Sequence, residues 1–439
     1  METHYTDQSN SSPASNFYFF LYLTILFTGA LLWYLKIPEE SFEREVLLFF
    51  WLVFTSFGFP FLVSRHTFRL EKIIIIFLVA LLSRYFLINS SSYYENDYHR
   101  YLVEGAAFAQ GVDPYQTSVK EYSSTLLFNS QNLEFENRRD LYLHSLHTGY
   151  SWLPAIYPPL ILKWFSLAKT PEALGWYTLT AEILLLALCC WLLPREKRFL
   201  LTLWLLHPLV LMEGYLNKHY DLLIGLLILL SLCAQSGKWK RISGVALGFS
   251  IHLKGFALIF LPFFPARTLR YGLFTLLLIE LLSFAWFPTR FDAGSSMGVF
   301  VSIWEFNNGI FTGLRLVLEN FTDSSSATRI LRVIFSILLC CSWILVFKNR
   351  KSLSISPCVI VSVLFMLLSP VANPWYFLMS LPFFLIEPLK TRVWFLLAPC
   401  ALYYLLFLSG DTLNALIVTT PATLLILFLA LRQVDEKKI

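Results

Sequence analysis

The sequence predicts an all-α fold, a polytopic bundle of transmembrane helices. Three observations point there. The chain of 439 residues is 56% hydrophobic and only 14% charged, whereas soluble domains carry about 25% charged residues. Its apolar residues gather in runs near the length that crosses a bilayer, about 20 residues each. Its lysines and arginines collect between those runs, as on the cytoplasmic side of membrane proteins. This composition excludes a soluble multidomain enzyme, a nucleic-acid binder and a disordered scaffold. A net charge of +5 says little about partners beyond the lipid bilayer.

In order along the chain, apolar runs fall near residues 17–35, 45–63, 71–88, 173–193, 199–216, 220–235, 271–288, 329–347, 393–409 and 412–431. The N-terminal segment has no lysine or arginine and no small-residue cleavage site, so the first run is expected to stay as a span rather than leave as a signal peptide. Two further regions, 242–264 and 355–388, are interrupted by polar residues or prolines. Each is expected to form two short segments with a broken middle, a form tolerated at membrane depth only beside protein or a watery cavity. Residues 157–168, IYPPLILKWFSL, are apolar but short. They are expected to form a non-crossing helix at the external interface, with Pro158 and Pro159 in its first turn.

Orientation follows from the basic clusters. Arg65, Arg69 and Lys72, then Arg195, Lys197 and Arg198, then Lys238, Lys240 and Arg241, then Arg267 and Arg270, then Lys348, Arg350 and Lys351, then Lys390 and Arg392, all placed inside, give one consistent path. The N-terminus then starts inside and residues 89–155 fall outside. That stretch holds eight acids and four bases, a net negative charge suited to an external segment. Three organisational parts emerge: N-terminal spans over 1–88, an external loop with interfacial helices over 89–170, and the remaining transmembrane bundle over 171–439. No internal repeat is visible, so an inverted-repeat transporter lacks its usual pointer.

Chemistry is most concentrated in Glu95-Asn-Asp-Tyr-His-Arg-Tyr-Leu-Val-Glu-Gly. Asp97, Arg100, Tyr101 and Glu104 recur at helical spacing and share one face, a stripe that is either a working surface or a solvated charged face. A second stripe, Glu213, Asn217 and Asp221 with Lys218 and His219 beside it, puts Glu213 inside an apolar run. An ionisable group there is costly when it faces lipid, and it is normally paired or turned to a cavity. Lys254 lies in an interrupted span with about ten apolar residues on each side, which makes snorkelling to the headgroups difficult and suits an anionic group. Trp304-Glu305 and Trp375-Tyr376 add aromatic and polar groups, either as an interface belt or as a sugar-binding surface.

Other chemistries lack their motifs: no phosphate-cradling glycine loop, nucleophile elbow or H-E-x-x-H. The cysteines (Cys189, Cys190, Cys233, Cys340, Cys341, Cys358 and Cys400) lie in or beside apolar runs without metal-ligand spacing, as buried small hydrophobes do. No metal and no cofactor is expected.

The stretch NDYHRYLVEGAAFAQGVDPY resembles the first external loop of bacterial polyprenyl-phosphate-sugar-dependent glycosyltransferases of the GT-C fold, above all the polyprenol-phosphate-mannose-dependent mannosyltransferases. Their pattern is approximately D-x-x-R-Y-x-W-D-G followed by G-x-N-P-Y. Asp97, Arg100, Tyr101, Gly105, Gly111, Pro114 and Tyr115 match, and Val103-Glu104 replaces Trp-Asp. IYPPL at 156–160 is similar to the family's Y-P-P. HPLVLMEGYLNKHYD retains Pro208, Glu213, Asn217, His219 and Asp221 of a second motif, and Lys254 matches a lysine in the broken span. Asn373-Pro-Trp-Tyr resembles H-P-W-Y with Asn for His. The likeness covers about residues 75–390.

The resemblance implies a GT-C-like bundle with a long external first catalytic loop. Such enzymes move a sugar, here a mannose-like hexose, from a polyprenyl-phosphate donor to a hydroxyl on a glycan or lipid-linked acceptor at the extracytoplasmic face, usually with inversion. By this likeness Asp97 is the general base, with Glu104 and Glu213 orienting a sugar. Lys254, Arg100 and His219 hold the donor phosphate. Asn217, Asp221, Tyr101, Tyr115, Trp304, Glu305, Trp375 and Tyr376 are the further substrate contacts. The phosphate leaves without needing an acid, while the attacking hydroxyl needs a base within reach and the phosphate needs cations. Two competitors remain: a secondary transporter or flippase for a lipid-linked or anionic solute, and a ligase or polymerase using a pyrophosphate-linked oligosaccharide.

Overall fold

The computed structural model describes residues 70–385, apart from 91, 93–96, 129–134, 195–196, 206, 236, 288–295, 297, 300–303, 306–308, 352 and 354–355. The expected spans near 17–35, 45–63, 393–409 and 412–431, and the clusters at Arg65, Arg69, Lys390 and Arg392, lie outside the described residues. Among those described, the chain is all-helical with no β-strand. Three helices are long and apolar enough to cross a membrane: Pro171–Leu192, Ala266–Trp286 and Ser324–Asn349. At 1.5 Å per residue a helix of this size spans about 30 Å, the thickness of a bilayer's hydrocarbon core. By length and composition these are helices of the membrane-crossing kind.

The helices follow the apolar pattern. α1 (Leu70–Ile88) is followed by four helices of the expected external loop: α2 (Asp97–Ala109), α3 (Val119–Phe128), α4 (Phe135–His147) and α5 (Pro159–Phe165). α3 opens on a capping box. The Ser118 backbone N–H and hydroxyl donate to Glu121 at 2.8 Å, and the Glu121 N–H donates back to the Ser118 hydroxyl, which satisfies donors the first turn leaves open. Pro159 occupies the first position of α5, as the sequence leads one to expect. That helix has 7 residues, too few to cross. Then come α6 (Pro171–Leu192) and α7 (Phe199–Leu205).

The apolar run 199–216 is broken, although hydropathy alone makes it one span. α7 stops at Leu205, α8 (Pro208–Leu211) restarts the helix, and a π-helical turn occupies Met212–Leu216. Pro208 has no N–H to donate and disfavours helix at the residue before it. α9 (Asp221–Cys233) and α10 (Lys240–Leu253) follow. The two regions expected to be broken are broken. Lys254 is extended, with φ −153° and ψ 110°, between α10 and a 3₁₀ segment, Gly255–Phe263. Residues 369–375 separate α14 (Pro357–Leu368) from α15 (Tyr376–Leu385). The remaining helices are α11 (Ala266–Trp286), α12 (Gly309–Leu318) and α13 (Ser324–Asn349).

One large core joins α1, α2, α5 to α10, α14 and α15, and a smaller one, built on Val103, Val119, Tyr122 and Leu141, holds α2, α3 and α4 together. Two glycine contacts matter. A Cβ on Gly105 would lie 2.6 Å from the Phe165 carbonyl carbon, so α2 lies directly on α5. Gly244 and Gly248 bring α10 against α11 so closely that added Cβ atoms would lie 2.8 Å from Thr268 O and 2.7 Å from Gly272 O, the small-residue packing of membrane helices. Outward, α11 exposes Phe274, Leu277 and Leu281, and α13 exposes Val333, Ile337 and Leu345, an apolar exterior suited to lipid.

Candidate functional site

α2 carries the first stripe. Asp97 opens the helix, where a carboxylate complements the N-terminal dipole, and it is partly exposed, whereas Arg100, Tyr101 and Glu104 are buried. Arg100 is fully engaged. Its Nε donates to Glu104 at 2.7 Å, one terminal nitrogen to Gly149 O and Tyr150 O at 3.2 and 3.1 Å, and the other to Leu153 O and Pro154 O at 2.6 and 3.1 Å. All five guanidinium donors are thereby used. Arg100 is a clamp on the 149–154 loop, and holding a phosphate would require breaking those bonds. Burial pushes the Glu104 carboxyl up to about 7 despite Arg100, and its Oε2 is buried without a hydrogen-bond partner.

The second stripe meets the first. Glu213, in the π turn, accepts from the Asn217 side chain at 3.0 Å and lies 3.6 Å from His219 Nε2. Lys218 takes a left-handed conformation, φ 60°, uncommon outside glycine. Its buried ammonium donates to Ser90 O and Leu216 O at 3.0 and 3.2 Å, with the Tyr98 ring 5.3 Å away. That turn separates Lys218 from its neighbours and leaves His219 facing α2, where its Nδ1 is 3.2 Å from the Tyr101 hydroxyl. A carboxylate near Nε2 favours the ring proton there, so Nδ1 accepts from Tyr101. Trp375 stacks on the same imidazole at 4.0 Å.

Asp221 pairs with Lys254 through Oδ1, while its buried Oδ2 has no hydrogen-bond partner. The ammonium of Lys254 lies 4.2 Å from the Tyr376 ring and 5.6 Å from that of Tyr220. Tyr220 in turn packs with Tyr101, Tyr157 and Phe165, and the Tyr115 hydroxyl donates to Tyr157 O at 2.6 Å. Asp97 is within electrostatic reach of His219, Lys254 and Tyr376. Four distant stretches, around residues 97–104, 213–221, 254 and 375–376, thus form one cluster. Trp304 and Glu305 belong to a different group. Trp304 packs on Tyr150 at 4.3 Å and its carbonyl accepts from Arg332, while Glu305 is bound to Arg315 at 3.1 Å and accepts from Thr328 at 2.9 Å.

Two arrangements escaped the sequence reading. Arg84 and Glu182 form a fully buried pair, Nε to Oε2 at 2.6 Å, and Glu182 also accepts from Trp204 at 2.9 Å and from Tyr215. The available signal was an arginine and a glutamate each set inside an apolar run. The other is a histidine cluster on α2 and α4. His99 Nδ1 and His144 Nδ1 face each other at 2.6 Å, and the His147 ring stacks on His99 at 5.3 Å. The head-on approach of two ring nitrogens is a hydrogen bond rather than a chelate, and no metal-binding group of three or more occurs among the described residues.

Burial, with His144, His147 and Lys218 nearby, pushes His99 down to about 3, and burial lowers His144 as well. A base whose folded value lies below its free value stabilises the fold above the free value and loses that contribution as pH falls. The α2–α4 contact is therefore complete above pH ~6.5 and weakens as pH falls towards 3. In carbon-13 spectra of histidine-labelled protein, the signals lost in His99→Gln and in His144→Gln should each titrate below the free imidazole value. A common midpoint near the free value would rule the contact out.

Comparison of the chain with protein-family models, curated proteins and solved structures finds no match.

Proposed function

We propose that the protein is a multi-pass cell-membrane glycosyltransferase of GT-C type that transfers a sugar, a mannose-like hexose, from a polyprenyl-phosphate carrier to a hydroxyl of a glycan or lipid-linked acceptor on the extracytoplasmic face, in a bacterial inner membrane. The observation that carries this reading is the meeting of Tyr101 with His219 beside the Asp221–Lys254 pair. A helix of the long polar loop and two interrupted apolar segments supply, in one place, carboxylates, a lysine and stacked aromatic rings.

In this reading Asp97 accepts the proton of the acceptor hydroxyl as it attacks the anomeric carbon. The bond from that carbon to the phosphate oxygen breaks, and the phosphate leaves as an anion beside Lys254. Because the guanidinium of Arg100 is occupied, the phosphate falls to Lys254 with His219 beside it, and Arg100 keeps the loop in place. The unpartnered oxygens of Glu104 and Asp221 suit sugar hydroxyls, since a buried acceptor without a donor is costly. Trp375 and Tyr376 supply apolar ring surface. Trp304 and Glu305 take a supporting place through Tyr150.

The test is to supply polyprenyl-phosphate mannose labelled in the sugar to purified protein in sealed vesicles, together with extracted envelope glycans and lipids. Label bound covalently to an acceptor is expected. Movement of intact labelled lipid between leaflets, without transfer, would replace this reading by the flippase. Use of only a pyrophosphate-linked oligosaccharide would replace it by the ligase.

A further inference from the structure

We infer that Arg84 and Glu182 are positioning residues: through Tyr215 they set the rotation of the π-helical turn and so the direction in which Glu213, Asn217 and His219 are presented. Only the kinetic part of the test below rests on the proposed function.

The geometry carries the argument. Glu182 shares both oxygens among more donors than its charge requires. Arg84 Nε and one terminal nitrogen bind Oε2 and Oε1 at 2.6 and 2.8 Å, the Trp204 indole N–H donates to Oε1 at 2.9 Å, and the Tyr215 hydroxyl donates to Oε2. Trp204 and Tyr215 come from opposite sides of the break before Pro208. The other terminal nitrogen of Arg84 donates to Leu205 O at 2.8 Å, the last carbonyl of α7, which has no partner within its own helix. The guanidinium also lies 4.9 Å from the Tyr215 ring centroid. Both ends of the interrupted segment are therefore tied to one ion pair.

Tyr215 and Glu213 are two positions apart and point to opposite sides of the turn, whereas Glu213 and Asn217, four apart, lie on one side and touch. π turns of this kind are frequent at functional sites. Sideways movement is blocked, since a Cβ on Gly214 would lie 2.2 Å from Leu222 Cδ1 and the turn is flush with α9. Rotation about its axis is the remaining freedom, and the Tyr215 hydroxyl is placed to fix it. If stability were the sole role, well-packed apolar side chains would serve as well and the hydroxyl would have no task.

Tyr215→Phe removes that hydroxyl and keeps the ring. Trp204→Phe, which removes the other donor to Glu182, is the comparison. In protein carrying carbon-13 in its histidine rings, with the His219 signal identified by its loss in His219→Gln, Tyr215→Phe should shift that signal and Trp204→Phe should leave it in place, whatever either does to the melting temperature. In the transfer assay Tyr215→Phe should lower kcat about tenfold with the donor KM within about twofold. An unmoved His219 signal in Tyr215→Phe, or an equal shift in Trp204→Phe, would overturn the inference. A wild-type protein without transferase activity would instead retire the proposed reaction and leave the His219 signal to decide positioning.

Discussion

Asp97→Asn is expected to lower sugar transfer by roughly 10²- to 10⁴-fold, the usual contribution of a general base, with expression and membrane insertion preserved. The two side chains match in size, and asparagine is accepted at the start of a helix, so α2 should lose no more than about 1 kcal/mol of dipole interaction. An amide cannot take the acceptor's proton. Glu104 is the nearest chemical substitute, since its carboxyl is pushed up to about 7, but it is bonded to Arg100 and sits two helical turns further along α2. Rates of labelled transfer by purified wild-type and variant protein, at equal amounts of folded material, make the measurement. Transfer by the variant at close to the wild-type rate would take Asp97 out of the role.

Arg84→Met should be strongly destabilising, by about 3–5 kcal/mol, because it leaves a carboxylate uncompensated in the interior. Glu182 is 1% exposed, beyond the reach of water, and its remaining donors, Trp204 and Tyr215, are neutral. The variant is expected to melt well below the wild type in detergent. Replacing both partners, Arg84→Met with Glu182→Leu, should restore most of the loss, since an apolar pair of similar volume often does as well as a buried ion pair. If the single and double variants melt together, the pair is not what holds α1 to α6.

How much of this was legible from residues alone depends on the kind of signal. The break at Lys254 was legible because His-Leu-Lys-Gly interrupts an apolar stretch. The break before Pro208 was not, since one proline in a run that is apolar on both sides leaves hydropathy unchanged. The α2 stripe could be found from spacing, but the role of Arg100 could not. Four of its five donors bind backbone carbonyls 49 to 54 positions away, and a carbonyl has no letter in a sequence. Arg84 and Glu182, 98 residues apart, carried no sign of their pairing in the sequence, because pairing across helices is decided by packing. The contacts of Trp304 with Tyr150 and of Glu305 with Arg315 and Thr328 could not be read either, since a loop's composition does not fix its partners.

The glycine seam between α10 and α11 bears on how a bulky isoprenoid tail would reach Lys254. With backbone lying against backbone and no intervening layer of side chains to swing aside, these two helices form a single plank that cannot part by degrees. A tail would have to slip past on the other edge, where Gly255 is exposed and a methyl group there would meet no atom within 4 Å. The doorway would then open one residue from the ammonium to which the proposed reaction assigns the phosphate.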